Sequence, residues 1–156
     1  MPTIQLQTYI NAPIDRVFDL SRSIDMHSIS TASTHEKAIA GRTSGLIEAG
    51  ETVTWEATHF GFRQQLQSKI TAMEYPHYFR DEMLKGAFKS IYHEHFFIEQ
   101  DGGTLVKDVF RFEAPFGILG AVFNRLVLTS YMKRFIAARN AIVKQYAETD
   151  LYRNVL

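Results

Sequence analysis

The sequence contains no cysteine. This absence excludes disulfide scaffolds, thiolate zinc sites, iron–sulfur clusters and cysteine nucleophiles. An excess of positive charge is missing too, because 17 basic residues balance 17 acidic residues. A protein that binds nucleic acid by neutralising phosphates normally carries such an excess, so we expect no nucleic-acid partner.

Targeting signals and long apolar runs are also absent. The N-terminus lacks the basic stretch followed by an apolar stretch that marks a secretory signal. The longest apolar candidate, residues 116–128, is interrupted by Asn124 and Arg125, whereas a membrane-spanning helix needs about 20 apolar residues. We therefore expect a cytoplasmic protein without integral membrane contact.

Aromatic residues are plentiful. Of the 156 residues, 46% are hydrophobic and 13% are aromatic, with twelve Phe, seven Tyr and one Trp. A chain of this length buries about 68–70% of its unfolded surface, so a sizeable core is expected. We predict one globular domain over residues 1–156.

Hydrophobic periodicity divides the chain into elements. Alternating apolar and polar residues predict a first strand at residues 4–10. Pro13 and Ser23 then begin two short helices, because proline suits the first helical position and serine is a common N-cap. Residues 36–114 alternate in segments separated by turn dipeptides, which predicts about six antiparallel strands. Residues 116–148 predict one long amphipathic helix.

This order of elements favours a curved antiparallel sheet of six or seven strands. Such a sheet has one apolar face, and the long C-terminal helix is the one predicted element large enough to cover it. The apolar stripe of the helix includes Phe123, Val127, Tyr131 and Phe135 and should face the sheet, whereas Arg139 lies off the stripe and is expected in solvent. The wedge between sheet and helix leaves room for a ligand.

Several motifs resemble the START-like, pollen-allergen-like helix-grip superfamily (SRPBCC) over nearly the whole chain. They are Ile10-x-Ala12-Pro13-x-x-x-Val17-Phe18-x-Leu20, Glu51-Thr52-Val53-Thr54-Trp55, Phe79-x-Asp81-x-Met83, His93-x-His95-x-Phe97 and Thr104-x-Val106-x-Asp108-x-Phe110-x-Phe112. The chain is similar in particular to bacterial polyketide cyclase/dehydrase and lipid-transport-like members. The resemblance implies an α+β helix-grip fold. Its members bind lipids, quinones, hormones or polyketides, and some are enzymes.

One hairpin allows side chains to be placed opposite each other. Asp101-Gly102 is a typical two-residue hairpin loop, and its register sets His95 opposite Asp108 and His93 opposite Phe110. These positions share the more apolar face of the last strand, which should point inward. A carboxylate hydrogen-bonded to an imidazole would fix the tautomer and favour the imidazolium.

Three interpretations of the His95–Asp108 pair stay open. The two groups could satisfy each other in the core, anchor the polar head of a ligand, or act as a general acid–base dyad. With His93 they could also hold a metal ion on adjacent strands. The sequence offers no clear fourth ligand, and the helical ligand motif of the superfamily's non-haem iron domains is missing. We therefore expect neither a metal nor another cofactor.

Asp81 joins this cluster in one of two registers. A three-residue turn at residues 85–87 would set Phe79 opposite His93 and turn Asp81 inward. A two-residue turn would flip the strand and turn even-numbered residues such as Arg80 inward instead. Both registers stay open at the level of sequence.

Trp55 is the centre of a second candidate wall of the ligand cavity. A turn at Gly61 would set Trp55 opposite Ser68, and the small side chains of Ala57 and Ser68 would leave room beside the indole ring. A tryptophan in this position either packs in the core or lines a cavity, and both interpretations stay open.

These patterns together nominate the candidate site. The candidate ligand-binding residues are Trp55, Ala57, His59, Leu66, Ser68, Phe79, Asp81, His93, His95, Phe97, Asp108, Phe110, Phe112, Phe123, Val127 and Tyr131. The candidate catalytic residues are His95, Asp108, His93 and Asp81. His27, in contrast, lies near a helix end and is expected in solvent.

The favoured function is binding or transport of a small amphipathic ligand: a lipid, quinone, isoprenoid or aromatic polyketide. Apolar area would supply affinity, and the His95/Asp108 cluster would orient one polar end. By resemblance, one alternative is a polyketide aromatase/cyclase- or dehydratase-like enzyme that moves protons through the His/Asp pair. A further alternative is a cochaperone-like interaction module. A homodimer is compatible with the sequence.

Overall fold

The computed structural model describes residues 2–114 and 124–156. The elements in these ranges follow the predicted order. They are β1 (Thr3–Ile10), α1 (Ile14–Arg22), α2 (Ile24–Ser30), a 3-10 turn (Ala32–Thr34), β2 (Lys37–Gly41), β3 (Thr52–His59), β4 (Phe62–Glu74), β5 (Tyr78–Lys85), β6 (Ser90–Gln100), β7 (Gly103–Glu113), a π-helical turn (Asn124–Leu128), α3 (Thr129–Glu148) and a 3-10 turn (Asp150–Asn154).

The strands form one antiparallel sheet in the order β1-β7-β6-β5-β4-β3-β2. This arrangement confirms the predicted α+β helix-grip fold, with two short helices after the first strand and a long C-terminal helix. Ser23 separates the two short helices, and its Oγ accepts a hydrogen bond from the Met26 backbone N at 3.1 Å. The serine is therefore the N-cap that the sequence predicts.

The C-terminal helix was predicted to begin near residue 116. Residues 115–123, including Phe123, lie outside the described ranges. No helix of the described residues is long and apolar enough to cross a membrane.

The buried face of α3 differs from the predicted stripe. Its buried residues are Met132, Ile136, Arg139, Asn140, Val143 and Ala147. Val127, which was expected to face the sheet, is 42% exposed, and Tyr131 and Phe135 are only half-buried at the flank of the buried face. The prediction was wrong because two polar residues occupy the buried face and the apolar periodicity therefore indicated the neighbouring one.

The register of β6 and β7 agrees with the hairpin prediction. His95 pairs with Asp108 and His93 pairs with Phe110. The match follows from the loop, because Asp101 and Gly102 both have positive φ angles, 50° and 78°, as a two-residue type I′ turn requires.

The register of β3 and β4 differs from the prediction by two residues. Trp55 pairs with Leu66, and Ser68 pairs with Val53. The loop consists of Phe60 and Gly61, with φ angles of 52° and 78°, so the turn lies one residue earlier than predicted. A shift of two residues keeps each side chain on its predicted face, because strand faces alternate with a period of two.

The core between the sheet and the helices consists of two apolar clusters. One contains Phe18, Phe79, Phe97 and Val143, and the other contains residues such as Phe112. Phe18 has no exposed surface, and its ring centroid lies 5.4 Å from that of Phe79 and 5.0 Å from that of Phe97. Helix α1 is therefore fixed to the sheet by aromatic packing.

We expect the Phe18→Ala substitution to lower the free energy of unfolding by about 3–5 kcal/mol, because it removes a buried ring and leaves a cavity. The matched control is Phe62→Ala, since Phe62 is 70% exposed; its effect should stay within about 0.5 kcal/mol. Urea unfolding measures both. Equal effects of the two substitutions would contradict the packing of α1 described above.

Candidate functional site

A cavity of about 280 Å³ lies between the sheet and the helices. Its lining is mostly apolar and includes residues of β3 to β7, of α1 and α2, and of α3. The volume is near the lower end of the range for ligand pockets, which is about 300–1,000 Å³. The wedge that the sequence predicts is therefore present and only partly filled by side chains.

Most of the candidate ligand-binding residues border this cavity. They are Trp55, His59, Leu66, Ser68, Phe79, Asp81, His93, His95, Phe110 and Tyr131. The strand residues among them share the inward face that the sequence predicts, and Tyr131 reaches the cavity from α3.

The other candidates lie elsewhere. Ala57, Phe97 and Phe112 are buried but are not part of the cavity lining. Asp108 lies behind the two histidines and is 1% exposed. Val127 lies in the π-helical turn before α3 and is exposed.

Asp81 enters the cluster through a register that neither predicted turn produces. Asp81 pairs with His93, and Phe79 pairs with His95. The ladder stops at the Glu82–Tyr92 pair, because the connection to β6 is longer than the turns considered. The inward face is nevertheless the one expected for the three-residue turn.

The histidines and aspartates form a continuous chain of hydrogen bonds. Asp81 Oδ2 lies 2.8 Å from His95 Nε2, and Asp108 Oδ1 lies 3.2 Å from His95 Nδ1. The same Asp108 oxygen lies 2.8 Å from His93 Nε2. Both rings therefore reach Asp108, and His95 bridges the two carboxylates.

A residue of helix α3 extends this chain of hydrogen bonds. Asn140 Nδ2 donates to Asp108 Oδ2 at 2.7 Å and lies 3.4 Å from Thr8 Oγ1 on β1. Both carboxylate oxygens of Asp108 thus have donors. The contact joins the helix to the sheet through a polar group.

The pKa directions follow from burial opposed by these hydrogen bonds. Burial alone would raise the pKa of Asp108, but the hydrogen bonds from His93 and His95 hold it well below its ordinary value. Burial likewise opposes the ionised form of Asp81, yet His95 lowers its pKa. Both carboxylates are therefore ionised at neutral pH.

The two histidines shift in opposite directions. Burial lowers the pKa of His95, but hydrogen bonds to Asp108 and Asp81 outweigh it and raise the pKa above its ordinary value. Burial and the neighbouring charge of His95 lower the pKa of His93, although Asp108 opposes the change. His95 therefore holds a proton more tightly than His93 does.

Aromatic rings surround the histidines. The His95 ring stacks on Phe79 with a centroid distance of 4.1 Å, and the His93 ring lies 3.8 Å from that of His95. Phe110 contacts His93 edge-on at 5.1 Å. These rings exclude water, which strengthens the hydrogen bonds of the cluster.

A second polar group borders the cavity at the edge of the sheet. His27 Nε2 lies 3.2 Å from Glu36 Oε1, and the His27 ring lies 4.2 Å from that of Trp55. Burial opposes ionisation of Glu36, but His27 lowers its pKa. The predicted exposure of His27 is wrong, because α2 turns the ring inward onto Trp55. His59 Nδ1 contacts Tyr131 Oη at 2.6 Å nearby.

Atoms that could hold a metal ion are present in the same wall. Asp81, His93 and His95 each offer one ligand atom within 4.8 Å of the others. From the sequence, Asp108 and not Asp81 was the carboxylate considered beside the two histidines. The structure brings Asp81 into the group because its carboxylate borders the cavity while that of Asp108 lies behind the rings.

Arg139 and Asn140 are the site residues that sequence reasoning missed. Arg139 was expected in solvent, yet it is 7% exposed and borders the cavity. The signal was their spacing, because both continue the series that Met132 and Ile136 begin. Two polar side chains in an apolar series would have indicated buried partners.

Comparisons with known proteins agree with this fold. No protein-family profile and no curated protein matches the sequence. Among solved structures, the chain is similar to TTHA0849 from Thermus thermophilus, with 17% identity, a TM-score of 0.77 and coverage of 94% of this chain and 97% of that chain.

Two further solved structures extend the comparison. Ginseng major latex-like protein 151 from Panax ginseng is 17% identical, with a TM-score of 0.69 and coverage of 94% and 97%. Ara h 8.0201 is 13% identical, with a TM-score of 0.61 and coverage of 91% and 97%. The chain therefore has the START-like, pollen-allergen-like helix-grip fold that its motifs resemble.

We expect His95 and Asp108 to be energetically coupled. Asp108→Ala leaves two imidazoles and an amide without their acceptor, and His95→Ala leaves a buried carboxylate with fewer donors. Breaking a buried pair in this way costs about 3–5 kcal/mol. The double variant should lose less stability than the two single losses added together, as urea unfolding of all four proteins will show.

Asp150→Ala is the matched control, because the Asp150 side chain is 94% exposed and its loss should stay within about 0.5 kcal/mol. Strict additivity of the His95 and Asp108 effects would contradict the direct contact between them.

Acid should destabilise the protein through Asp108. Because its pKa is lowered in the folded state, the unfolded state binds more protons in acid, and stability rises with pH there. The contribution of Asp108 is present above its ordinary value of 3.8 and is lost as the pH falls through the lowered pKa. We expect Asp108→Asn to flatten the dependence of unfolding free energy on pH below about pH 4. Identical slopes in the two proteins would contradict this assignment.

Proposed function

We propose that this protein binds and carries a small amphipathic molecule in the cavity between the sheet and the helices. The observation that carries the proposal is the cavity itself, an apolar space of about 280 Å³ with a buried polar cluster in one wall. A lipid, a quinone, an isoprenoid or an aromatic polyketide has the matching chemistry, with an apolar body and a polar end.

The residues that line the cavity support separate roles for its apolar and its polar side chains. Apolar side chains such as Trp55, Leu66 and Phe110 would supply affinity at about 25 cal/mol for each Å² of apolar surface removed from water. The polar groups of Asp81, His93 and His95 border the same space and would orient the polar end of the ligand. Such a combination is the usual design of a ligand pocket.

The hydrogen-bonded chain favours a second candidate, an enzyme of the polyketide cyclase or dehydratase type. His93 is buried, borders the cavity and has a lowered pKa, so a neutral imidazole is available as a general base. Asp108 would orient its ring. A bound molecule that is released chemically changed would favour this candidate over the carrier.

Filling the cavity should abolish binding. Ser68 is a small residue of β4 in the cavity wall, so Ser68→Phe places a ring in the ligand space. We expect the affinity for the apolar fluorophore N-phenylnaphthylamine to fall about tenfold or more, as each lost 1.4 kcal/mol of binding free energy is tenfold. Fluorescence of the probe and of Trp55, the single tryptophan, reports binding.

The matched control is Ser130→Phe on the exposed surface of α3, which should bind the probe as the unmodified protein does. Native mass spectrometry of the purified protein should also detect a co-purified apolar molecule. Equal probe affinity in a folded Ser68→Phe variant would contradict binding in this cavity.

A further inference from the structure

Arg139 is a buried cation in the cavity wall. It is 7% exposed and lies on the buried face of α3. Its Nη2 donates to the backbone carbonyl oxygen of Ser21 at 3.2 Å. Its Nε is buried and has no hydrogen-bond acceptor within residues 2–114 and 124–156. The guanidinium is therefore incompletely satisfied.

The other arginine in the described cavity lining, Arg22, has its partners. Arg22 Nε contacts Asp19 Oδ1 at 2.9 Å, and Arg22 Nη1 donates to the Ile47 carbonyl oxygen at 3.3 Å. Buried N–H groups without an acceptor are rare and costly. A guanidinium carries five N–H donors, so Arg139 has donors to offer to a molecule in the cavity.

Carboxylates in the cavity wall restrict what that molecule can be. Asp81 is hydrogen-bonded to His95, and Asp108, which is 1% exposed, is hydrogen-bonded to His93. Arg139 is the cation that α3 places in the same wall. A ligand carboxylate would add a further carboxylate to this wall and would carry the desolvation cost of another buried charge.

We propose that Arg139 recognises the ligand by donating a hydrogen bond to a neutral oxygen at the polar end of the ligand, as in a ketone, an ester or an alcohol. This inference rests on the proposed function and specifies its ligand class. It assigns the head-group contact to α3 as well as to the sheet. A fatty acid in its ionised form would be disfavoured.

Matched octyl compounds test the inference. Octane, methyl hexyl ketone, octyl alcohol and octanoate have similar apolar bodies and differ at the polar end. Each is titrated at neutral pH against bound N-phenylnaphthylamine, with the unmodified protein, Arg139→Met and Arg139→Lys. Arg134→Met, on the exposed surface of α3, is the control.

We expect Arg139→Met to weaken binding of the ketone and the alcohol about ten- to hundredfold, as for loss of a hydrogen bond to a charged group, and to leave octane binding unchanged. Arg139→Lys, which keeps a charged donor, should lose less. Arg134→Met should change nothing. The unmodified protein should bind octanoate more weakly than the ketone, a comparison that requires no variant to fold.

Two results would overturn the inference while leaving the proposed function intact: unchanged ketone affinity in folded Arg139→Met, or tighter binding of octanoate than of the ketone by the unmodified protein. Failure of every octyl compound to displace the probe, octane included, would contradict the proposed function and the inference with it.

Discussion

The buried carboxylate of Asp108 is the constraint on which the rest of the site depends. A charge that is 1% exposed must be compensated by donors, because its desolvation is otherwise too costly. The donors come from His93 and His95 on β6 and from Asn140 on α3. One group therefore fixes both the histidine rings and the docking of the helix on the sheet.

These polar side chains form a layer across an otherwise apolar core. One hydrophobic cluster contains Phe97 and Val143, and the other contains Ile91 and Ile136. The histidines lie between the two clusters along β6, and Asn140 lies between them along α3. The polar side chains of this layer keep their hydrogen bonds in only one alignment of the helix with the strands. The layer therefore fixes that alignment.

The sequence predicts strand faces better than strand partners. The facing pair His95–Asp108 was predictable because the Asp101-Gly102 loop has one preferred geometry. The partners of Trp55 and Asp81 were each off by two residues, since Phe60-Gly61 and the connection after β5 allow several loop lengths. The buried face of α3 was missed because two polar residues interrupt its apolar periodicity, and the partners that satisfy them lie on other elements.

Under the proposed function, ligand choice rests on the polar layer more than on the shape of the cavity. Apolar walls discriminate weakly, because one methylene group changes affinity by only about 1–3 kcal/mol. A buried donor left unpaired discriminates more strongly, since a ligand that lacks an acceptor leaves it unsatisfied. Structures with this fold share as little as 12% identity with the chain, so the fold persists while most of its side chains differ. We therefore propose that Arg139, which borders the cavity beside this hydrogen-bonded cluster, sets the cavity's preference.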